Sequence, residues 1–269
     1  LGNHDTGPGQ GDGATYNKLV HQPRAGKALG GSGTEDHYYL LYGHAIVVVL
    51  STSSFSGGAI PFKQQAEWMD KVLTAHPRRW RFVVLHHPIY TQYVFVNHKP
   101  GDKGQNAALV PVINKHHVDL VFQGHNHFYE RFAPSACKSG KSTSPCPVAS
   151  FDKGTVYITT GGAGAFLVPF VGFTSKARPA ASGTHHLVQV SLDDHQLELQ
   201  ALTPAGKVID ALKITKPTPT PDPCAGGQLD AGTASDAAAS ADASVVDASS
   251  DSTGGPAEAG TTDASSDSA

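Results

Sequence analysis

The sequence predicts a mixed α/β domain followed by a tail without a core, and three observations carry that expectation. Continuous apolar runs of the kind that form buried strands, AIVVVL at 45–50, RFVVL at 81–85 and VDLVF at 118–122, alternate with segments of helical periodicity. Near the end of the folded part, LVQVSL and LELQAL alternate apolar with polar residues, the pattern of half-buried antiparallel strands. Beyond Lys216 the chain holds no aromatic residue, no Lys or Arg, and only Pro-, Ala-, Ser-, Thr-, Gly- and Asp-rich stretches. Such a segment buries too little apolar surface to offset its ordering entropy. Residues 1–215 are therefore expected to fold as one domain and residues 216–269 to be a disordered low-complexity tail.

The elements follow in order. Residues 6–34 are Gly-rich, with a short helix near 16–20 and otherwise loop, long enough to act as a lid over a site. Residues 37–42 and 45–51 form a hairpin turning at Gly43-His44. Pro61 opens a helix to His76 whose apolar face is Phe62, Gln65, Trp68, Met69, Val72 and Leu73, and Pro77 stops it. A strand at 81–85, a crossover helix at 107–117 and a strand at 118–122 come next, followed by a strand at 155–160 that exits through Gly161-Gly162-Ala163-Gly164. That glycine cluster lacks the Gly-Lys-Ser/Thr ending and following helix of a phosphate loop, so it is expected to be a tight strand exit. Three strands near 186–192, 196–203 and 207–214 close the domain.

Charge and cysteines narrow the function. The net charge of −3 splits into +6 over residues 1–216 and −9 in the tail, so the folded part is mildly basic and suits an anionic substrate. No stretch of 18 apolar residues exists to span a membrane. Cys137 and Cys146 bracket a polar loop and are expected to pair as a disulfide in an oxidising compartment, with a zinc pair as the competing reading and Cys224 left over.

The chemistry gathers in three histidine blocks. FQGHNHFYER places His125 and His127 after a strand, and a tight turn at Gly124 would aim the two rings at two neighbouring ions. HHP places His86 and His87 at the end of another strand, where open α/β sheets put their sites. LGNHD offers the Asn3 amide oxygen, the His4 imidazole, and the Asp5 carboxylate to hold that imidazole in one tautomer.

The order GNHD, then Val83-Val84-Leu85-His86, then GHNHFYER, with VYITTGGAG after it, resembles the calcineurin-like metallophosphoesterases, most closely the purple acid phosphatase branch. The resemblance covers roughly residues 1–214 and implies a four-layer αββα sandwich carrying a site for two divalent or trivalent ions, Fe, Zn or Mn. It implies that Asn3, His86 and His125 ligate one ion and His127 belongs to the second. His4, held by Asp5, would act on the phosphate or protonate the leaving group, and His98 would face the substrate. His87 is left between a substrate role and one pointing elsewhere. His116, His117, His185 and His186 are expected to be surface or packing residues, and Glu130 and Arg131 to form a structural ion pair.

The implied function is hydrolysis of small phosphate monoesters by a metal-activated hydroxide. Phosphodiester or nucleotide hydrolysis on the same ions and a catalytically dead cell-surface binding module are the alternatives. The family's Asp-x-His/Gly and Gly-Asp-x-x-Tyr/His blocks, which supply the bridging carboxylate, do not occur in order before Asn3. They are expected upstream of Leu1, and the chain as it stands is expected to be inactive without them. No stable nucleic-acid partner is expected. The cysteine loop and the tail together suggest a secreted, periplasmic or surface protein of a bacterium, with the tail as a possible envelope attachment.

Overall fold

The structure, a computed structural model, describes residues 1–6, 9, 13–21, 29, 33, 35–53, 60–92, 100–167 and 173–217. The continuous apolar runs become the centre of a seven-stranded mixed sheet. Strands β1 (Tyr38–Tyr42) and β2 (Ala45–Val49) form the expected hairpin; β3 (Trp80–Leu85), β4 (Leu120–Gln123) and β6 (Val156–Thr160) then run parallel to β2. Two short strands, β5 (Tyr129–Arg131) and β7 (Ala180–Ser182), complete the order β1-β2-β3-β4-β6-β5-β7. The closing strands β8 (Leu187–Leu192), β9 (Gln196–Leu202) and β10 (Val208–Thr215) make a separate antiparallel sheet with β9 in the middle.

Helices α2 (Phe62–Ala75) and α3 (Gln105–Lys115) are the parallel crossovers, and a short α1 (Ala14–Leu19) lies in the Gly-rich segment. Side chains alternate across the central strands as the pleat requires. Val83, Leu85, Val121 and Tyr157 pack with Trp68, Met69, Val72, Leu109 and Ile113 of the two helices. Phe82, Leu120, Val156 and Ile158 face the opposite way, onto Leu197, Leu199, Leu212 and Ile214 of the small sheet. Burial on both faces explains why these strands read as unbroken apolar runs, whereas β9, with Glu198 and Gln200 exposed, reads as alternating. Three of the four expected layers are thus present among the described residues, and no described helix covers the outer face of the small sheet. The tail beyond Pro217, Cys224 included, and much of the Gly-rich segment lie outside the described residues.

The expected disulfide is present between Cys137 and Cys146. The expected Glu130–Arg131 pair is not. On β5 adjacent side chains leave opposite faces of the sheet, so Glu130 pairs with Arg178 at 3.3 Å, and Arg131 with Asp210 at 2.6 Å, where the Tyr129 hydroxyl also donates to Asp210. Both pairs are internal and tie β5 to distant segments.

One core histidine sets a pH dependence. His37 is fully buried, edge-on to Trp68 at 4.6 Å, and among the described residues neither ring nitrogen has a hydrogen-bond partner. Burial pushes its pKa down to about 4, against the opposing pull of Asp36. The unfolded chain binds a proton at this residue near its ordinary 6.5 and the folded chain does not, so stability is complete above that value and falls as the pH drops towards 4. Urea unfolding at pH 7.5 and 4.5 should show the protein losing roughly 2–3 kcal/mol more than its His37→Leu variant. Parallel losses in the two proteins would count against this origin.

Candidate metal centre

The parallel strands β2, β3 and β4 deliver their carboxyl ends to one edge, and the three histidine blocks meet there. The ladder continues past β3 and β4, with Gly124 N donating to His86 O at 2.8 Å. Gln123 grips the segment after His86, accepting from Ile89 N at 2.7 Å and donating to Tyr90 O at 2.9 Å. From the start of α3, Gln105 donates to His87 O and Asn106 to Ile89 O. These amides fix the backbone that carries His86.

The LGNHD segment is a tight turn against the end of β2. Thr52 donates to Leu1 O twice, through its backbone N–H and its hydroxyl, each at 3.0 Å. Thr6 Oγ1 donates to Gly2 O at 3.0 Å, and Gly2 N donates to Asp5 Oδ2 at 2.9 Å. The carboxylate of Asp5 thus holds the turn in this structure rather than the His4 ring, which is exposed. A glycine is required at position 2 because a Cβ there would stand 2.6 Å from Cγ of His86.

Asn3, His86 and His125 converge. His86 Nε2 lies 2.8 Å from Asn3 Oδ1, and His125 Nδ1 lies 3.2 Å from that oxygen and 3.3 Å from His86 Nε2. Ion–donor distances of about 2.1 Å put neighbouring ligand atoms about 3.0–3.4 Å apart, between octahedral and tetrahedral angles. Two sides of the observed triangle, 3.2 and 3.3 Å, fall in that range and the third, 2.8 Å, is slightly shorter, and one amide oxygen with two imidazole nitrogens is a donor set suited to zinc or iron. Burial, then the neighbouring His125, pushes the pKa of His86 down to about 3, so its ring is neutral, the form in which imidazole binds a metal. The residues present therefore fit an ion at this position.

The residue that turns the two rings apart is His125, with φ 64°, and not the expected Gly124. His127 consequently leaves the triangle: its Nδ1–H donates to Phe166 O at 2.8 Å and its ring stands edge-on to Phe166 at 4.9 Å. That bond makes Nε2 the basic nitrogen of the neutral ring, the arrangement that outer partners impose on metal-binding histidines. Gly161 permits the close approach of this loop to β6, since a Cβ would meet Asn126 O at 2.3 Å. His98 lies outside the described residues. His186 is buried between Thr160 and Thr184, and His116 contacts Asp70, both in packing roles.

Sequence reasoning did not single out Thr52, Gln105, Asn106 or Gln123. Gln123 had a signal, a polar residue closing an apolar strand; Thr52, in a serine/threonine-rich turn, had none.

Residues 1–129 match the calcineurin-like phosphoesterase family. Purple acid phosphatase 1 of Ipomoea batatas is 28% identical over 169 residues, 61% of this chain and 35% of that protein. The Fe(3+)-Zn(2+) purple acid phosphatase 12 of Arabidopsis thaliana is also 28% identical over 169 residues and the same shares. The purple acid phosphatase PPD1 of yellow lupin (Lupinus luteus) superposes with a TM-score of 0.64 at 20% identity, covering 80% of this chain and 37% of that one. The chain spans about a third of the length of the curated purple acid phosphatases it matches.

Proposed function

From a chain whose residues 1–129 match the calcineurin-like phosphoesterase family, we propose metal-dependent hydrolysis of small phosphate monoesters. The observation that carries it is the triangle of Asn3 Oδ1, His86 Nε2 and His125 Nδ1. These three would hold one ion and His127 Nε2 would take part in holding a second; among the described residues His127 is the ligand the second ion is offered. Such a pair of ions supplies charge neutralisation at the phosphoryl oxygens and a nucleophile at neutral pH. Iron, zinc and manganese all suit the donors.

The chain's own residues then orient and protonate. His4, exposed on the same turn as Asn3, would give a proton to the leaving oxygen, while Asp5 keeps that turn closed through Gly2. His98 is assigned to the substrate side by resemblance. The Cys137–Cys146 disulfide supports an oxidising compartment outside the cytoplasm.

Hydrolysis of p-nitrophenyl phosphate and of its bis-ester by the full-length protein, with Fe, Zn or Mn present, tests the reading. The monoester should be favoured at least about tenfold in kcat/KM, and a chelator should remove the activity. Preference for the bis-ester would assign a phosphodiesterase. Full metal occupancy with neither substrate turned over would leave a binding module.

A further inference from the structure

His87 follows a ligand of the proposed ion yet has no part in the function above. It is 3% exposed. Its ring stands edge-on to His86, with centroids 4.9 Å apart, and lies over His125 at 4.4 Å with a tilt of 37°. Its Nδ1 is 2.7 Å from Thr52 Oγ1. Thr52 has a single hydroxyl proton, and that proton goes to Leu1 O at 3.0 Å. With that proton on Leu1 O, the hydroxyl accepts from His87, which would then carry its proton on Nδ1 and its lone pair on Nε2.

We infer that His87 is a positioning residue for the metal ligands, held in one tautomer by Thr52; the inference rests on the metal-centre reading above. A single chain of hydrogen bonds, from the Leu1 carbonyl through Thr52 to His87, joins the turn that carries Asn3 to the strand end that carries His86. The ring it fixes is wedged against both ligand imidazoles, so neither His86 nor His125 can rotate away from Asn3 without displacing it. Burial excludes contact with substrate. A ligand role fits less well: the ligand-capable nitrogens of His86, His87 and His125 lie within 4.8 Å of one another. The Asn3 triangle is tighter than that, and Nδ1 of His87 is committed to Thr52.

Two measurements test the inference. Long-range proton–nitrogen NMR of the metal-free protein should show His87 protonated at Nδ1, with Thr52→Ser keeping that tautomer and Thr52→Val losing it. Titration with Co²⁺, read by its visible absorption and by competition with a chelator, should show Thr52→Val and His87→Phe binding 10–100-fold more weakly, and Thr52→Ser within about twofold of the parent. The visible bands should shift in Thr52→Val, which a loss of bulk stability alone would not cause.

A His87 protonated at Nε2 would overturn the inference, as would parental affinity and spectrum in Thr52→Val. Complete loss of binding in His87→Phe, as in a ligand knock-out, would overturn it in favour of ligation. If the parent protein bound no Co²⁺ while His87 showed the stated tautomer, the metal-centre reading itself would fall, and the role of His87 with it.

Discussion

His125→Ala is expected to weaken binding of the first ion by more than about 100-fold, beyond the 10–100-fold typical for an outer residue, and to remove phosphate-ester hydrolysis with it. The reason is geometric: His125 Nδ1 closes the triangle with Asn3 and His86, and two donors do not hold an ion that three were spaced to hold. Because His125 sits at φ 64°, alanine there also costs about 1 kcal/mol of backbone strain. His125→Asn avoids that strain, since asparagine tolerates the left-handed region, and it should lose the ion as fully. His127→Ala should leave the first ion bound within a few-fold, because its Nδ1 is directed to Phe166 and away from the triangle. Chelator competition with Zn²⁺ on the four proteins checks this, and parental affinity in both His125 variants would refute the assignment.

Arg178→Met is expected to destabilise the fold by about 3–5 kcal/mol, the cost of leaving a buried charge without its partner. Glu130 is fully buried and Arg178 is 2% exposed. The carboxylate also accepts from Gln92 N at 3.3 Å and Thr159 Oγ1 at 3.2 Å, which orient it but do not neutralise it. Burial already raises the pKa of Glu130, with Arg178 among the groups holding it down. Without Arg178 the folded state takes up a proton more readily than the unfolded one, so the penalty should shrink as the pH falls. The double variant Glu130→Gln, Arg178→Met should recover more than half of the loss, because no unpaired charge remains. Denaturant midpoints of the three proteins decide it; a single variant within about 1 kcal/mol of the parent would show that the pair contributes little.

Local patterns carried far. The runs AIVVVL, RFVVL and VDLVF became β2, β3 and β4, and the closing alternations became β8 and β9. The disulfide followed from the loop between its cysteines. Two of the three histidine blocks could be assigned to one site because each stood at the end of a strand that reads as parallel, and parallel strands end together; LGNHD, which follows no strand, joined them only through the family resemblance. Strands β5 and β7 were missed because three residues carry no period to detect. Glu130 and Arg131 were paired wrongly because neighbours in sequence look like partners, while the pleat sends them to opposite faces and to residues 48 and 79 positions away.

The sequence by itself determined which residues could bind metal, which segments would be buried on both faces, and which strand ends would carry the histidines. These follow from side-chain chemistry and from periodicity along the chain, both written locally. Only the tertiary structure decided that Asn3 comes within 2.8 Å of His86 and 3.2 Å of His125. It also decided that His125 takes the left-handed turn, that His127 is directed to Phe166, and that Thr52 Oγ1 stands 2.7 Å from Nδ1 of His87. Each of these depends on where a hydrogen-bonding group from a distant element happens to stand, and no local pattern of residues encodes that position.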